Sequence, residues 1–289
     1  MISDITLGQF FPGNSWIHRL DPRTKILLAV LFIVTVFLAD SPVIFAGLIL
    51  FTLFLVGVTR ISLRVILRAI RPIVFLLLFT ALISLFMTVG ENEPLVAFWF
   101  FKIYKEGIYR AILMALRVIL LIIGSSVLLT YTTSPISLTD GLESLLSPLK
   151  LLHVPVHIFA MMMSIALRFI PTLIEETEKI MNAQKSRGAD FTTGSLVKRA
   201  KALIPLLVPL VISSFKRADE LATAMECRCY RGDKKRTKLV CLRMRAADFA
   251  ALFLFAVLLA SVIVLREMTP AIEAAIGESF LRIFFFRVR

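Results

Sequence analysis

Long apolar stretches separated by short polar turns dominate the chain. Five of them approach the roughly 20 residues that a helix needs to cross a hydrocarbon core about 30 Å thick. They cover residues 26–39, 43–58, 72–89, 107–131 and 249–265. Asp40-Ser41-Pro42 joins the first two, and because such a turn ends one helix and starts the next, it predicts a tight hairpin of two rather short spans. The pattern therefore predicts an all-α fold, a polytopic membrane helix bundle.

The segment between the last two stretches, residues 133–245, has a different pattern. Its apolar runs are short, interrupted by proline and interleaved with charge, which favours amphipathic helices. Three long helices of this kind are predicted at residues 138–151, 156–187 and 195–230. Residues 156–174 are almost long enough to cross a bilayer, but His157, Arg168 and Pro171 interrupt them. The pattern leaves open whether this stretch spans the membrane or lies along it.

Boundary signals accompany these helices. Ser137 or Thr139 is suited to cap the first, and Pro155 to open the second. Gly188 lies where a helix C-terminus commonly needs a left-handed residue. These residues predict where the helices begin and end.

The composition excludes a soluble fold. Of 289 residues, 58% are hydrophobic and 18% are charged, and the mean hydropathy is +0.87. The net charge of +13 does not indicate nucleic-acid binding, because apolar stretches separate most of the charges. The basic residues are better interpreted as topology signals.

Short cytoplasmic loops are enriched in lysine and arginine, which orients the predicted spans. Arg19, Arg23 and Lys25 precede the first stretch, and residues 60–71 hold four arginines and no acid. The turn at Asp40 belongs on the other side. We therefore expect a cytoplasmic N-terminus and, after five crossings, a C-terminus outside.

These patterns divide the chain into four parts. Residues 1–132 form an N-terminal membrane region with four transmembrane helices, and residues 133–245 form a cytoplasmic or interfacial module. Residues 246–267 form the final transmembrane helix, and residues 268–289 form a C-terminal tail.

The residues predict no catalytic, cofactor or metal site. The sequence has no Gly-x-x-x-x-Gly-Lys-Ser/Thr loop for a nucleotide, and His18, His153 and His157 are not grouped with acids or thiols at zinc spacing. Cys227-Arg228-Cys229 is half of a metal site without a second ligand pair, so packing thiols are the favoured interpretation. The spans also lack the central Asp, Glu or His of an ion-coupled carrier. We therefore expect a non-catalytic protein.

Two short motifs in the basic module share an unusual pattern. Ser186-Arg187-Gly188 and Cys227-Arg228-Cys229 each place an arginine between small residues at or near a predicted helix C-terminus. Small flanking residues let a helix end enter a groove closely, and a guanidinium pairs bidentately with a carboxylate. Two such ends fit a partner with two subunits. The alternative is that both arginines complement helix dipoles or lipid phosphates.

Several stretches resemble the transmembrane T component of energy-coupling factor (ECF) transporters, the ABC-type importers of vitamins and metal ions. The similarity covers most of the chain and is carried by HRLDPRTK at 18–25, RP at 71–72, TSP at 133–135, ALRFIP at 166–171, AQKSRGAD at 183–190, RADEL at 217–221 and AME at 224–226.

The resemblance implies a function for the two arginines. In that family two X-Arg-X motifs, most often Ala-Arg-Gly, end the long cytoplasmic coupling helices that dock onto two ATPase subunits, and here they fall on Arg187 and Arg228. Ser186 replaces the first Ala, and Cys227 and Cys229 flank the second arginine. Serine and cysteine are small, so these differences from Ala-Arg-Gly do not argue against docking. They affect how tightly the end at Arg228 fits its ATPase subunit.

The resemblance also implies partners and a location. The chain would transmit ATPase motion to a small membrane-embedded, substrate-binding S component for vitamin uptake, in the cytoplasmic membrane of a prokaryote. ATP and magnesium would be bound by the ATPase subunits, and the substrate would be chosen by the S component. A shared module for several vitamin-specific S components is favoured over a dedicated cobalt or nickel system.

An apolar surface with no partner inside the module is expected to carry the S component. Its predicted residues are Phe159, Met161, Met162, Met163, Leu206, Leu207 and Leu210.

Two other classes remain. A conventional ABC permease would contain its own translocation path and use a soluble substrate-binding partner. A membrane-embedded enzyme would need a polar cluster at one membrane depth, and the sequence contains no recognisable one.

Overall fold

The computed structural model describes residues 11, 13–87, 96–98, 101–189, 191, 195–232 and 242–275. The chain forms two compact units. The membrane unit comprises residues 10–134 and 242–289, and the long-helix unit comprises residues 1–9 and 135–241. The final long helix thus belongs to the same unit as the N-terminal helices. Residue 241 and most of the predicted tail lie outside the described residues.

The described part of the fold is helical apart from one small hairpin, which confirms the all-α prediction. The helices are α1 (Pro22–Leu38), α2 (Pro42–Thr59), α3 (Leu63–Ile70), α4 (Val74–Met87), α5 (Lys105–Ser125), α6 (Pro135–Leu145), α7 (Val156–Ser186), α8 (Leu196–Cys227) and α9 (Ala246–Ala275). Strands β1 (Val96–Phe98) and β2 (Phe101–Ile103) pair antiparallel, with Val96 opposite Ile103.

In the part of the chain that the structure describes, five helical segments are long and apolar enough to cross a membrane. They are Pro42–Thr59, Arg64–Met87, Lys105–Thr130, Val156–Ser186 and Ala246–Met268. This set differs from the predicted spans in two ways. Helix α1 has 17 residues and is not among them, whereas α7 is. The basic stretch at 60–71, predicted as a loop, is largely the helix α3, which continues through a 3-10 turn (Arg71–Ile73) into α4.

The core of the membrane unit is centred on α1. Its short length is offset by packing against α9, against α5 and against the π-helix that follows α5. Phe32 is fully buried, and it lies so close to Gly124 of α5 that a Cβ at that position would collide with its ring. Glycine therefore permits the close approach of α1 and α5. Directly afterwards, α5 continues as a π-helix (Ser126–Thr130), in which the Tyr131 N–H donates to the Ser126 carbonyl at 2.9 Å.

In the long-helix unit, α7 packs against both α6 and α8. Helix α7 continues through Pro171, and α8 continues through Pro205 and Pro209. Pro155 precedes α7 as expected. The predicted cap of the first helix is wrong, because α6 already begins at Pro135 and the Thr139 hydroxyl donates to the Pro135 carbonyl at 3.0 Å from within the helix.

Candidate functional site: two arginine-bearing helix ends

The C-terminus of α7 is a Schellman motif, a helix end in which two N–H groups bond back across a left-handed residue. Arg187 is the C-cap residue, and Gly188 follows with φ +89°. The Gly188 N–H donates to the Lys185 carbonyl at 2.9 Å, and the Ala189 N–H donates to the Gln184 carbonyl at 3.0 Å. The helix end is thereby closed by backbone groups alone.

The C-terminus of α8 has the same motif. Arg228 occupies the C-cap position, the Cys229 N–H donates to the Glu226 carbonyl at 2.8 Å, and the Tyr230 N–H donates to the Met225 carbonyl at 3.0 Å. The two arginines are therefore equivalent in local structure, which the similarity of the two short motifs predicts.

The two ends differ at the left-handed position. Cys229 adopts φ 57°, a conformation that L-residues other than glycine, asparagine and aspartate seldom adopt. Its thiol and that of Cys227 are free and exposed. The interpretation of these cysteines as packing thiols is therefore wrong. Cys227 and Cys229 are suited to the helix end by their small size and not by burial.

Both arginine side chains are available to a partner. Arg187 and Arg228 are exposed, and no carboxylate of the described residues forms an ion pair with either. Ser186, Gly188, Cys227 and Cys229 are exposed as well. The three residues of each motif thus present one continuous small surface around a guanidinium.

Among the described residues, one ion pair links α7 and α8, at matching positions of the two helices. The Arg217 guanidinium of α8 lies 3.3 Å from the Glu176 carboxylate of α7. Arg187 follows Glu176 by 11 residues, and Arg228 follows Arg217 by the same 11 residues. At about 1.5 Å per residue, each arginine lies roughly 16 Å along its helix from that contact.

The predicted apolar surface is only partly exposed. Phe159 and Leu207 are 55% and 60% exposed, and Met162 and Met163 are also exposed. Leu206 is 7% exposed, so it packs inside the unit. Met161 and Leu210 are half-buried. Sequence reasoning missed further exposed apolar residues of α8, namely Leu203, Ile204, Val208, Val211, Ile212 and Phe215.

Sequence reasoning also missed a buried polar cluster in the membrane unit. The Asp248 carboxylate accepts the backbone N–H of Asp21 at 2.8 Å and that of Arg245 at 2.7 Å. The Lys25 ammonium donates to the Thr132 carbonyl at 2.7 Å and to the His18 carbonyl at 3.1 Å. The HRLDPRTK stretch gave no indication of its contacts with Asp248 and Thr132, which lie more than 100 residues away.

Electrostatics in this cluster follow from burial. Lys25 precedes the apolar stretch 26–39, and burial lowers its pKa to about 8 against the opposing attraction of Asp248 and Asp21. Burial likewise lowers the pKa of His18, with the positive charge of Lys25 as a smaller cause. Its ring nitrogens contact the Ser15 hydroxyl at 2.6 Å and the Phe11 carbonyl at 3.1 Å, which suits a neutral imidazole.

The far end of the membrane unit holds a second polar group. Asp40, in the turn between α1 and α2, lies 3.5 Å from the Arg117 guanidinium and 3.2 Å from that of Arg266. Arg117 also donates to the Ala39 carbonyl and lies over the Phe45 ring. Arg117 thus joins α5 to the turn between α1 and α2.

The remaining histidines do not form a metal centre. His157 Nδ1 lies 3.0 Å from the Glu143 carboxylate and so links α7 to α6. His153 is a left-handed residue, with φ 60°, in the turn before α7. Within the described ranges, no group of three His, Cys, Asp or Glu side chains is placed to hold a metal ion.

Comparison with known proteins places the chain in a family. The profile of the cobalt transport protein family, CbiQ, matches residues 13–239. The chain is 53% identical over 251 residues to the energy-coupling factor transporter transmembrane protein EcfT of Clostridium kluyveri, covering 87% of this chain and 93% of that protein. It is 47% identical over 266 residues to the protein of the same name from Bacillus subtilis, covering 92% of this chain and all of that protein. The chain therefore belongs to the family of transmembrane components of energy-coupling factor transporters.

Proposed function

We propose that this chain is the coupling subunit of a vitamin importer, in which α7 and α8 carry the motion of two ATPase subunits to a membrane-embedded S component. The observation that supports this most strongly is the pair of equivalent helix ends at Arg187 and Arg228. Two copies of one structural motif suit two related partner sites.

The chemistry of each end suits docking into a groove. A Schellman motif satisfies its own backbone groups, so the guanidinium of the C-cap residue stays available for a partner carboxylate. Serine, glycine and cysteine next to it leave room for the wall of a groove. The partner is expected to supply one acidic side chain at each of two sites.

The Glu176–Arg217 pair gives the proposal a mechanical basis. Both arginines lie equally far from this contact between the helices. Displacement of either helix end by an ATPase subunit is thus delivered to one shared contact. ATP is bound with magnesium and hydrolysed in the ATPase subunits, and this chain supplies no catalytic group.

The exposed apolar face of α7 and α8 is the proposed seat of the S component. It combines Phe159, Met162 and Met163 with Leu207 and the further exposed residues of α8. Methionine-rich apolar surfaces adapt to different partners, which suits a module shared among several S components. Leu206 would support this surface from inside.

Substitution of the two arginines tests the proposal in the assembled transporter. Truncating one partner of a desolvated charge pair costs on the order of 2 to 5 kcal/mol, because the other charge is left unpaired. We expect Arg187→Ala and Arg228→Ala each to weaken co-purification of the ATPases or to uncouple ATP hydrolysis from vitamin uptake, with the double variant worse. Lysine at either position should restore only part of the function, because an ammonium lacks the planar fork.

Arg231→Ala is the matched control. It removes an exposed arginine three residues after Arg228 but outside the motif, where a surface charge contributes little. Normal assembly and uptake in the Arg187→Ala/Arg228→Ala variant would refute the proposal. Uptake of labelled cobalt or nickel, with no uptake of vitamins, would instead assign the chain to a metal importer.

A further inference from the structure

The connection between α2 and α4 carries an unusual concentration of positive charge. Arg60, Arg64, Arg68 and Arg71 lie within 12 residues, and the sequence contains no acid from residue 41 to residue 90. All four side chains are exposed. Among the described residues, none of the four has a carboxylate partner. This region, residues 59–71, is called the arginine elbow below.

The arginine elbow lies where two apolar helices end. Pro42–Thr59 and Arg64–Met87 are both long and apolar enough to cross a membrane, and the elbow connects them. Within α3, Ile66 is buried and Leu67 is exposed, so the arginines extend from a helix that is itself anchored in the unit. A basic segment next to a membrane-spanning helix is attracted to anionic lipid headgroups.

A cavity of about 690 Å³ opens beside this segment. Its apolar lining includes Phe11, Trp16, Val58, Ile61 and Val65, and Arg60 contributes the charged part of the wall. Tryptophan is typical of the boundary between headgroups and acyl chains. The cavity therefore combines an apolar wall with a cation, which is what the upper part of a phospholipid requires.

The backbone conformation of Arg60 and the ring of His18 shape this part of the cavity wall. Arg60 ends α2 with φ 54°, the left-handed conformation that glycine usually occupies at this place. His18 lines the same cavity, and its ring is held by Ser15 and by the Phe11 carbonyl. Burial lowers the pKa of His18, which favours the neutral form of its ring. The charge in the cavity wall comes from Arg60.

We propose that the arginine elbow binds one anionic phospholipid, with the phosphate at Arg60, the start of an acyl chain against Trp16 and Val58, and Arg64 adding to the positive potential. The apolar wall favours a lipid over a soluble phosphate compound. The four arginines without acids favour an anionic headgroup over a zwitterionic one. The inference depends on the chain being a membrane protein, and not on the coupling function proposed above.

Fluorescence of Trp16 provides a direct test on the full chain in vesicles. The chain has two tryptophans, so Trp99→Phe leaves Trp16 as the single reporter. The vesicles consist of phosphatidylcholine with a small fraction of a second lipid whose acyl chains are brominated. This second lipid is either phosphatidylglycerol or phosphatidylcholine. We expect brominated phosphatidylglycerol to quench Trp16 at several-fold lower lipid fraction than brominated phosphatidylcholine. Each arginine near the surface raises the affinity for an anionic lipid roughly fivefold. The double variant Arg60→Gln/Arg64→Gln should therefore lose most of the preference for phosphatidylglycerol.

Arg243→Gln is the matched control, because it removes one exposed arginine of the same unit that does not line the cavity. It should keep the preference for phosphatidylglycerol. Equal quenching by both brominated lipids in the parent protein would overturn the proposal, as would an unchanged preference in Arg60→Gln/Arg64→Gln. Loss of the preference on adding inorganic phosphate at constant ionic strength would overturn the lipid assignment and indicate a site for a free anion.

Discussion

The Asp248 carboxylate accepts the backbone N–H of Asp21 at 2.8 Å and so ties the start of α9 to the start of α1, 227 residues earlier. Its second oxygen accepts the N–H of Arg245 and caps α9. Because α1 and α9 begin at the same place, they run in the same direction. The contact of Arg266 with Asp40 at the opposite end of α1 agrees with this arrangement.

Asp248→Ala should destabilise the membrane unit. The variant leaves two N–H groups without their acceptor, of which that of Asp21 is buried, and each unpaired buried group costs about 1 to 3 kcal/mol. We expect a lower midpoint in thermal unfolding of the purified protein. Asp219→Ala, which removes an exposed carboxylate of α8, is the control. Equal midpoints for both variants would contradict the structural role of Asp248.

The two Schellman motifs should respond to opposite substitutions. Gly188→Ala places a Cβ at φ +89°, which costs about 1 to 2 kcal/mol although the space around Gly188 is open. Cys229→Gly relieves the same strain at φ 57°, with a net gain of about 0.5 to 1 kcal/mol after the entropy of glycine. Unfolding midpoints of the two variants measure this. A destabilising Cys229→Gly would mean that the thiol makes a contact that offsets the strain.

Thiol labelling should report the side of the membrane on which the helix ends lie. Cys227 and Cys229 are exposed, so each reacts wherever the reagent reaches it. With a cytoplasmic N-terminus, an impermeant maleimide applied to intact cells should leave both unmodified, and permeabilised cells should show modification. Labelling from outside in intact cells would reverse the proposed orientation.

A charge introduced on the apolar face of α8 should weaken binding of the S component without affecting binding of the ATPase subunits. Leu207→Glu places a carboxylate on an exposed residue of the proposed seat, so the S component should be lost while both ATPase subunits stay bound. Leu151→Glu changes a residue that is even more exposed but lies outside that face, and it should have no effect. Co-purification of the complex is the measurement. Loss of all partners with Leu207→Glu would indicate misfolding, as is expected for the buried Leu206→Glu.

The helix ends were predictable from sequence because their signals are local. Gly188, the small residues around each arginine and the prolines before the helices act within a few residues of where they lie. The cluster of Asp21, Lys25 and Asp248 was not predictable, since it joins residues from distant parts of the chain and no periodic pattern marks it. The contact of Arg117 with Asp40 was not predictable for the same reason, because the two residues are 77 positions apart in the sequence. The helix α8 was predicted at residues 195–230, but its exposed face was predicted only in part, because exposure depends on which side of α8 packs against α7.

The Lys25 contact with Thr132 has a topological consequence. Thr132 follows α5, and its carbonyl is held beside the start of α1, as is Asp248 at the start of α9. The chain thus leaves the membrane unit and re-enters it at the same end. Residues 135–241 must consequently cross the bilayer an even number of times, and α7 is the one helix of that segment, among its described residues, with the length and composition of a span. A crossing by α7 alone would put the starts of α1 and α9 on opposite sides of the membrane, which the Asp248–Asp21 hydrogen bond does not allow.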